Sequence, residues 1–316
     1  MAQTPAGRWH TGAMSSFHRL QRLVLICGLA LCANPWPATA QTQQAPAANA
    51  ESGAQALLEK HTALANQLAQ NVYRRPLYLE STDGANAVTG SAYAVLNSPF
   101  STVSEAFKSP NRWCEMLILH LNTKYCRASG NESPSTLTMH VGKKTEQELG
   151  DAFALQFKYQ LAASSADYLA ANLRSDKGPL GTNNYRIELR AVPLPGGKTF
   201  MHLSYSYGYS VASRLAMQGY LATAGSGKVG FTRVQRGSGT DYVDGMRGTV
   251  ERNTMRYYLA IEAYLASLDK PPAQQLEARL QHWFDATEQY ARQLHEVDKE
   301  SYLVMKRAEY QRQQAS

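Results

Sequence analysis

The residues able to do chemistry are plentiful but scattered. Beyond position 40 the histidines are His61, His120, His140, His202, His282 and His295. None has a second ligand type at the close spacing that zinc sites use, so no metal is expected. His120 and His140 would lie on candidate strands and meet only through folding. Gly225-Ser226-Gly227-Lys228-Val229-Gly230 spells G-x-G-x-x-G. It follows a helical stretch and leads into an extended one, the reverse of the dinucleotide-binding context. Val229 stands where a P-loop needs Ser or Thr, so no nucleotide cofactor is expected. No G-x-S-x-G or H-E-x-x-H occurs, and no catalytic residue or cofactor is assigned. What does recur is tyrosine among apolar residues: Tyr159, Tyr205, Tyr207 and Tyr257. A tyrosine brings a large apolar ring and a hydroxyl that needs a partner, which suits the wall of a small-molecule pocket.

Charge excludes one partner class. The 316 residues carry a formal +7, which falls to +4 without residues 1–40. No block of Lys or Arg stands out, so no nucleic-acid surface is expected. Residues 1–40 read as a cleaved signal peptide. Arg19 and Arg22 precede the apolar run Leu23 to Ala33, and Ala38-Thr39-Ala40 ends it. The run is short for a membrane span. The expected location is the periplasm or another extracytoplasmic compartment. Cys114 and Cys126 then remain, and an oxidising compartment favours one disulfide between them over two separate thiols.

The elements that would position these groups follow from periodicity. Residues 41–50 are small and polar and read as a disordered linker. Residues 51–76 hold an amphipathic helix with Leu57, Leu64, Leu68 and Val72 on one face. Two short strands flank Asp83-Gly84. Short helices follow over STVSEAFKS and from Pro110. Strict alternation then marks strands: Leu137-Met139-Val141, Phe153 to Leu161, Tyr185 to Ala191 and Met201 to Tyr209, with a weaker one over Leu169 to Arg174. Such alternation means an antiparallel sheet with one buried face. A short helix from Val211, with Val211, Leu215 and Met217 inward, precedes a strand over Lys228 to Val234 and a loop. Gly245 to Leu268 reads as a long helix whose stripe is Val250, Thr254, Tyr257, Ile261, Tyr264 and Leu268, with Arg252 and Arg256 on the solvated side. Residues 273–316 carry a heptad-like seam through Leu276, Leu280, Trp283, Thr287, Tyr290, Leu294, Val297, Ser301 and Val304. That tail would pack on the 51–76 helix, self-associate into a homo-oligomer, or stay free.

Two stretches, AYAVLNSPFSTVSEAFKSPNRW (Ala92 to Trp113) and GMRGTVERNTMRYYLAIEAYL (Gly245 to Leu265), carry a resemblance. In element order the chain, over residues 77–268, resembles the START-like, or helix-grip, superfamily of polyketide-cyclase and lipid-transfer-like proteins. The resemblance implies an α+β fold in which a curved antiparallel sheet grips a long C-terminal helix. It also implies an apolar cavity between them that takes a lipid or other hydrophobic small molecule.

By alternation the concave face would carry Leu155, Phe157, Tyr159, Leu189, Leu203, Tyr205 and Tyr207. The helix would add Asn253, Thr254 and Tyr257. Leu155, Phe157, Tyr159, Leu203, Tyr205, Tyr207, Asn253, Thr254 and Tyr257 are therefore the candidate ligand contacts, although the same residues would equally fill a solid core. Three functions fit. The first is a carrier or binder of a hydrophobic ligand outside the cytoplasm, in contact with a membrane surface or not. The second is an envelope interaction module acting through 273–316. The third is a cyclase or hydratase, which would need an acid–base group such as Tyr205, Tyr207, His120 or Glu188; Glu188 alternates onto the wet face.

Overall fold

The computed structural model describes residues 45–222 and 227–315; residues 1–40, read as a signal peptide, and residues 41–44 of the stretch read as linker lie outside them. In chain order the elements are α1 (Ala45–Ala63), α2 (Ala65–Ala69), β1 (Leu77–Asp83), β2 (Ala87–Leu96), α3 (Phe100–Lys108), α4 (Pro110–Leu117), β3 (Thr123–Ala128), β4 (Ser135–Val141), β5 (Phe153–Ser164), β6 (Leu169–Lys177), β7 (Thr182–Leu194) and β8 (Lys198–Tyr209). They continue with α5 (Val211–Ala222), β9 (Arg233–Arg236), β10 (Gly239–Tyr242), α6 (Gly245–Ala266), α7 (Pro272–Glu288), α8 (Ala291–Leu294) and α9 (Lys299–Gln314).

The eight-stranded sheet has the order β1-β2-β8-β7-β6-β5-β4-β3, with every neighbour antiparallel. It curves without closing into a barrel and packs its inner face against α6. Register shifts at Leu161/Ala163 and Asn183/Arg186 mark the irregularities that bend long strands. The chain leaves β2, makes α3 and α4 as a short cap, runs β3 to β8 as a meander, and returns β8 beside β2. This is the helix-grip arrangement.

The inner face is what alternation marks. Leu137, Met139, Leu155, Phe157, Ile187, Leu189, Leu203 and Tyr205 belong to one buried cluster with α3, α4, α6 and α7. The outer face has its own cover. Leu57, Leu64 and Leu68 of α1 and its continuation pack over Tyr93, Ala170, Val192 and Phe200. The N-terminal helix therefore lies on the sheet and not on the tail, because these strands bury apolar residues of both parities. It is helical from Ala45, inside the stretch read as linker; the alanines of APAANA favour helix, and Pro46 falls in the first turn, where its missing N–H costs no intrahelical bond. A disulfide joins Cys114 of α4 to Cys126 of β3.

Four other expectations change. Arg252 and Arg256 are 4% and 1% exposed, not solvated: α7 packs on α6, Arg252 donates to the Val229 carbonyl and Arg256 to that of Leu294. Residues 273–316 are not one heptad helix. The chain breaks between α8 and α9, where the Asp298 carboxylate caps α9 by accepting from the Ser301 N–H at 2.9 Å. Along the seam, Leu280 and Trp283 bury within the domain core while Val304 is 57% exposed. On α5, Val211 and Leu215 point outward, 76% and 65% exposed, and of the three residues expected to face inward Met217 alone packs on the core. The stretch after Gly227 forms the two-stranded β9–β10 ribbon, later than the strand expected over Lys228 to Val234. Among the described residues no helix is long and apolar enough to cross a membrane.

Candidate functional site

Between the sheet and α6 lies a cavity of about 690 Å³. Met139 and Val141 of β4, Phe153, Leu155 and Phe157 of β5, Thr182 and Tyr185 of β7, and Tyr205 and Tyr207 of β8 form its floor. Thr249, Asn253 and Tyr257, one turn apart on α6, form the opposite wall. Its ends are closed by His120 and Asn122 from the α4–β3 turn, Lys143, Lys144, Gln147 and Asp151 after β4, Leu180 before β7, Met217 of α5 and Glu296 before α9. Phe153 and Leu180, 42% and 77% exposed, stand where the cavity reaches the surface. The volume lies within the roughly 300–1,000 Å³ usual for small-molecule sites.

The walls have two characters. One side is aromatic. Tyr185 and Tyr207 stack at 5.2 Å between ring centres, and Tyr205 meets Tyr257 edge-on at 5.3 Å. Burial holds the hydroxyls of Tyr205, Tyr207 and Tyr257 protonated well beyond their usual range. These rings therefore offer apolar surface and neutral O–H groups, not general bases. The other side is polar and cationic. Glu296 accepts from Lys144 at 2.5 Å and from Arg256 at 2.8 Å, with Lys228 at 3.3 Å. Burial and the neighbouring Arg256 bring the Lys144 ammonium down to about 8. His120 is buried, and its pKa lies well below the usual imidazole value through burial and then the charges of Arg256, Lys306 and Lys144. It is a neutral ring at physiological pH.

Of the residues read from sequence, Leu155, Phe157, Tyr205, Tyr207, Asn253 and Tyr257 come together around this cavity. Tyr159, Leu203 and Thr254 do not line it. The Tyr159 hydroxyl sits on the carbonyls of Phe107 and Lys108, both 2.9 Å away, and clamps the end of α3 to the sheet. Leu203 borders only a void of about 10 Å³ under α4, beside Trp113 and Ile261. Thr254 seats α6 on β2: a Cβ added at Gly90 would lie 2.4 Å from its Oγ1. Leu189 is buried in the core away from the cavity. Tyr185 and Phe153 were within reach of sequence reasoning, since they share the parity of Ile187 and Leu155. Lys144 and Glu296 gave no periodic signal because both lie in loops, one contributed by the tail. Within the described residues no group of His, Cys, Asp and Glu could hold a metal ion.

No protein-family model and no curated protein matches the chain. Solved structures do. Norcoclaurine synthase from Thalictrum flavum is similar over 46% of this chain and 89% of its own, at 12% identity and a TM-score of 0.33. Human StAR-related lipid transfer protein 5 is similar over 52% and 84%, at 11% identity and 0.30. Ara h 8.0201 is similar over 60% and 99%, at 9% identity and 0.34. At the level of fold, the chain resembles the START-like helix-grip superfamily. That statement stands on the strand order and the gripped helix, and it leaves ligand and chemistry to the site itself.

Proposed function

We propose that this protein binds and carries a lipid or other small molecule with a large apolar body, and does so outside the cytoplasm. The observation that carries this reading is the cavity of about 690 Å³ floored by Leu155, Phe157, Tyr185, Tyr205 and Tyr207. Apolar side chains facing an empty space of that size forgo contacts that a ligand would supply, worth about 25 cal/mol for each Å² removed from water. The exposed Phe153 and Leu180 at its mouth suit loading from a membrane surface. The extracytoplasmic location is supported by the basic–apolar–small pattern of residues 1–40 and by the Cys114–Cys126 bridge. Catalysis has less support. Buried Tyr205 and Tyr207 hold their protons, Glu188 is on the outer face, and no nucleophile–base pair lines the cavity among the described residues.

Mass spectrometry of the protein purified from its native host tests this. The expected result is one apolar molecule retained per chain and released by organic extraction. Purified protein that is ligand-free and also binds no apolar probe would overturn the reading.

A further inference from the structure

The cavity is not uniformly apolar, and its polar end holds an unsatisfied donor. His120 lies on the wall, 3% exposed, and its Nδ1 accepts from the Asn122 backbone N–H at 3.2 Å. In a neutral ring the proton therefore sits on Nε2. That buried Nε2 has no hydrogen-bond partner. Buried polar atoms are nearly always paired, and an exception calls for a missing partner. The Asn253 amide, also on the wall, is the neighbour that favours a proton on His120, but it stands outside hydrogen-bonding geometry and leaves the Nε2 donor open.

The charge around this donor is unbalanced. Three cations, Arg256, Lys144 and Lys228, converge on the single carboxylate of Glu296. Lys143 and Asp151, elsewhere on the wall, offset each other. The polar end thus keeps an excess of positive charge in a partly buried place, where it is poorly screened. Burial first, and the charges of Arg256 and Arg252 after it, depress the Lys144 pKa against the opposing pull of Glu296. An anion there would relieve it.

We propose that the ligand is an amphipathic carboxylate whose apolar body lies against Phe157, Tyr185 and Tyr207 and whose head is bound at the His120–Asn253–Lys144 end of the cavity. This rests on the carrier reading above and narrows it to a ligand class. A fully apolar molecule would leave the donor unpaired and the cations unbalanced. A cationic amphiphile would be repelled.

The test is calorimetric titration of the delipidated full-length protein with dodecanoate, dodecanol and methyl dodecanoate. These share a chain and differ in the head. Dodecanoate is expected to bind about tenfold or more tightly than the other two. Lys144→Met, at a partly exposed position, should bring dodecanoate toward the alcohol while leaving dodecanol unchanged. His120→Phe should do the same. His120→Gln, which restores an N–H donor at similar reach, should recover part of the preference. If the alcohol and ester bind as tightly as the acid, the head-group inference fails and the carrier reading stands. If none of the three binds, both fail. If His120→Phe does not fold, the Lys144→Met comparison still decides the matter.

Discussion

Glu309 on α9 shows how little of a residue's role its type reveals. Its carboxylate faces two ammonium groups, Lys124 at 3.0 Å and Lys306 at 2.5 Å, and the three side chains are at most 4% exposed. Lys306 also donates to the carbonyls of His120 and Thr123, and Lys124 to those of Leu121 and Thr145. The network ties the tail to the turn that carries His120. In sequence, Lys306 and Glu309 sit among Arg307, Tyr310 and Gln311, and nothing local marks them as buried. Removing the carboxylate strands two buried cations. Glu309→Ala should therefore lose about 3–5 kcal/mol of stability. By contrast, Lys299→Ala, which breaks an exposed pair with Asp285, should lose under about 1 kcal/mol. Urea unfolding of both variants checks this, and equal losses would contradict the burial argument.

At the scale of elements, legibility followed one-sidedness. Strands β4, β5, β7 and β8 were readable because wet and buried residues alternate along them. β3 (TKYCRA) was not, since its first four residues are all buried and leave no period to see. For α6 the stripe was correct, but a periodic pattern reports only the face that is apolar. The far face carries Arg252 and Arg256, and nothing local says that distant loops would cover them, the Val229 carbonyl on Arg252 and Glu296 on Arg256. The tail misled for the same reason. Leu280, Trp283 and Leu294 keep a helical spacing that suits a coiled coil, yet they bury against the domain itself. The Trp283 indole donates to the Arg256 carbonyl at 3.1 Å, and the Tyr302 hydroxyl to that of Leu119 at 2.9 Å. α9 is thus part of the core. Ending the chain after Asp298 removes Tyr302, which stacks on Trp283, and removes Glu309 from buried Lys124. The expected outcome is a large fall in Tm or loss of soluble protein, read by thermal unfolding and size-exclusion chromatography. A truncated chain of unchanged Tm that only shifts its oligomeric state would instead assign the tail to self-association.

For the whole protein, the buried titratable groups set a stability optimum on the alkaline side. On the acid side, burial, Arg190 and Lys60 hold His202 down to about 4, and His120 is lowered too. The unfolded chain takes up these protons near 6.5, so stability falls as pH drops below that value. Glu296 adds to the fall. Burial would raise its carboxyl, but Arg256, Lys144 and Lys228 outweigh this and hold it low, so that contribution is lost as the group is protonated. On the alkaline side, burial brings Lys144 and Lys306 to about 8, against 10.5 in the unfolded chain. Between those values the unfolded state binds more protons, so stability rises with pH. Tyrosines reverse the slope. Burial pushes Tyr159 and Tyr310 up to about 12 and many others higher, Tyr207 and Tyr257 among them, whereas unfolded tyrosines ionise near 10. Here the folded state holds more protons, and stability falls as pH rises. Because many tyrosines oppose a few lysines, the slopes cancel at about pH 9, above the pH 5–8 of most proteins. Tm measured from pH 4 to 11 should peak there. A Tm that does not rise between pH 7 and 9 would show that Lys144 and Lys306 titrate as free lysines, against their burial.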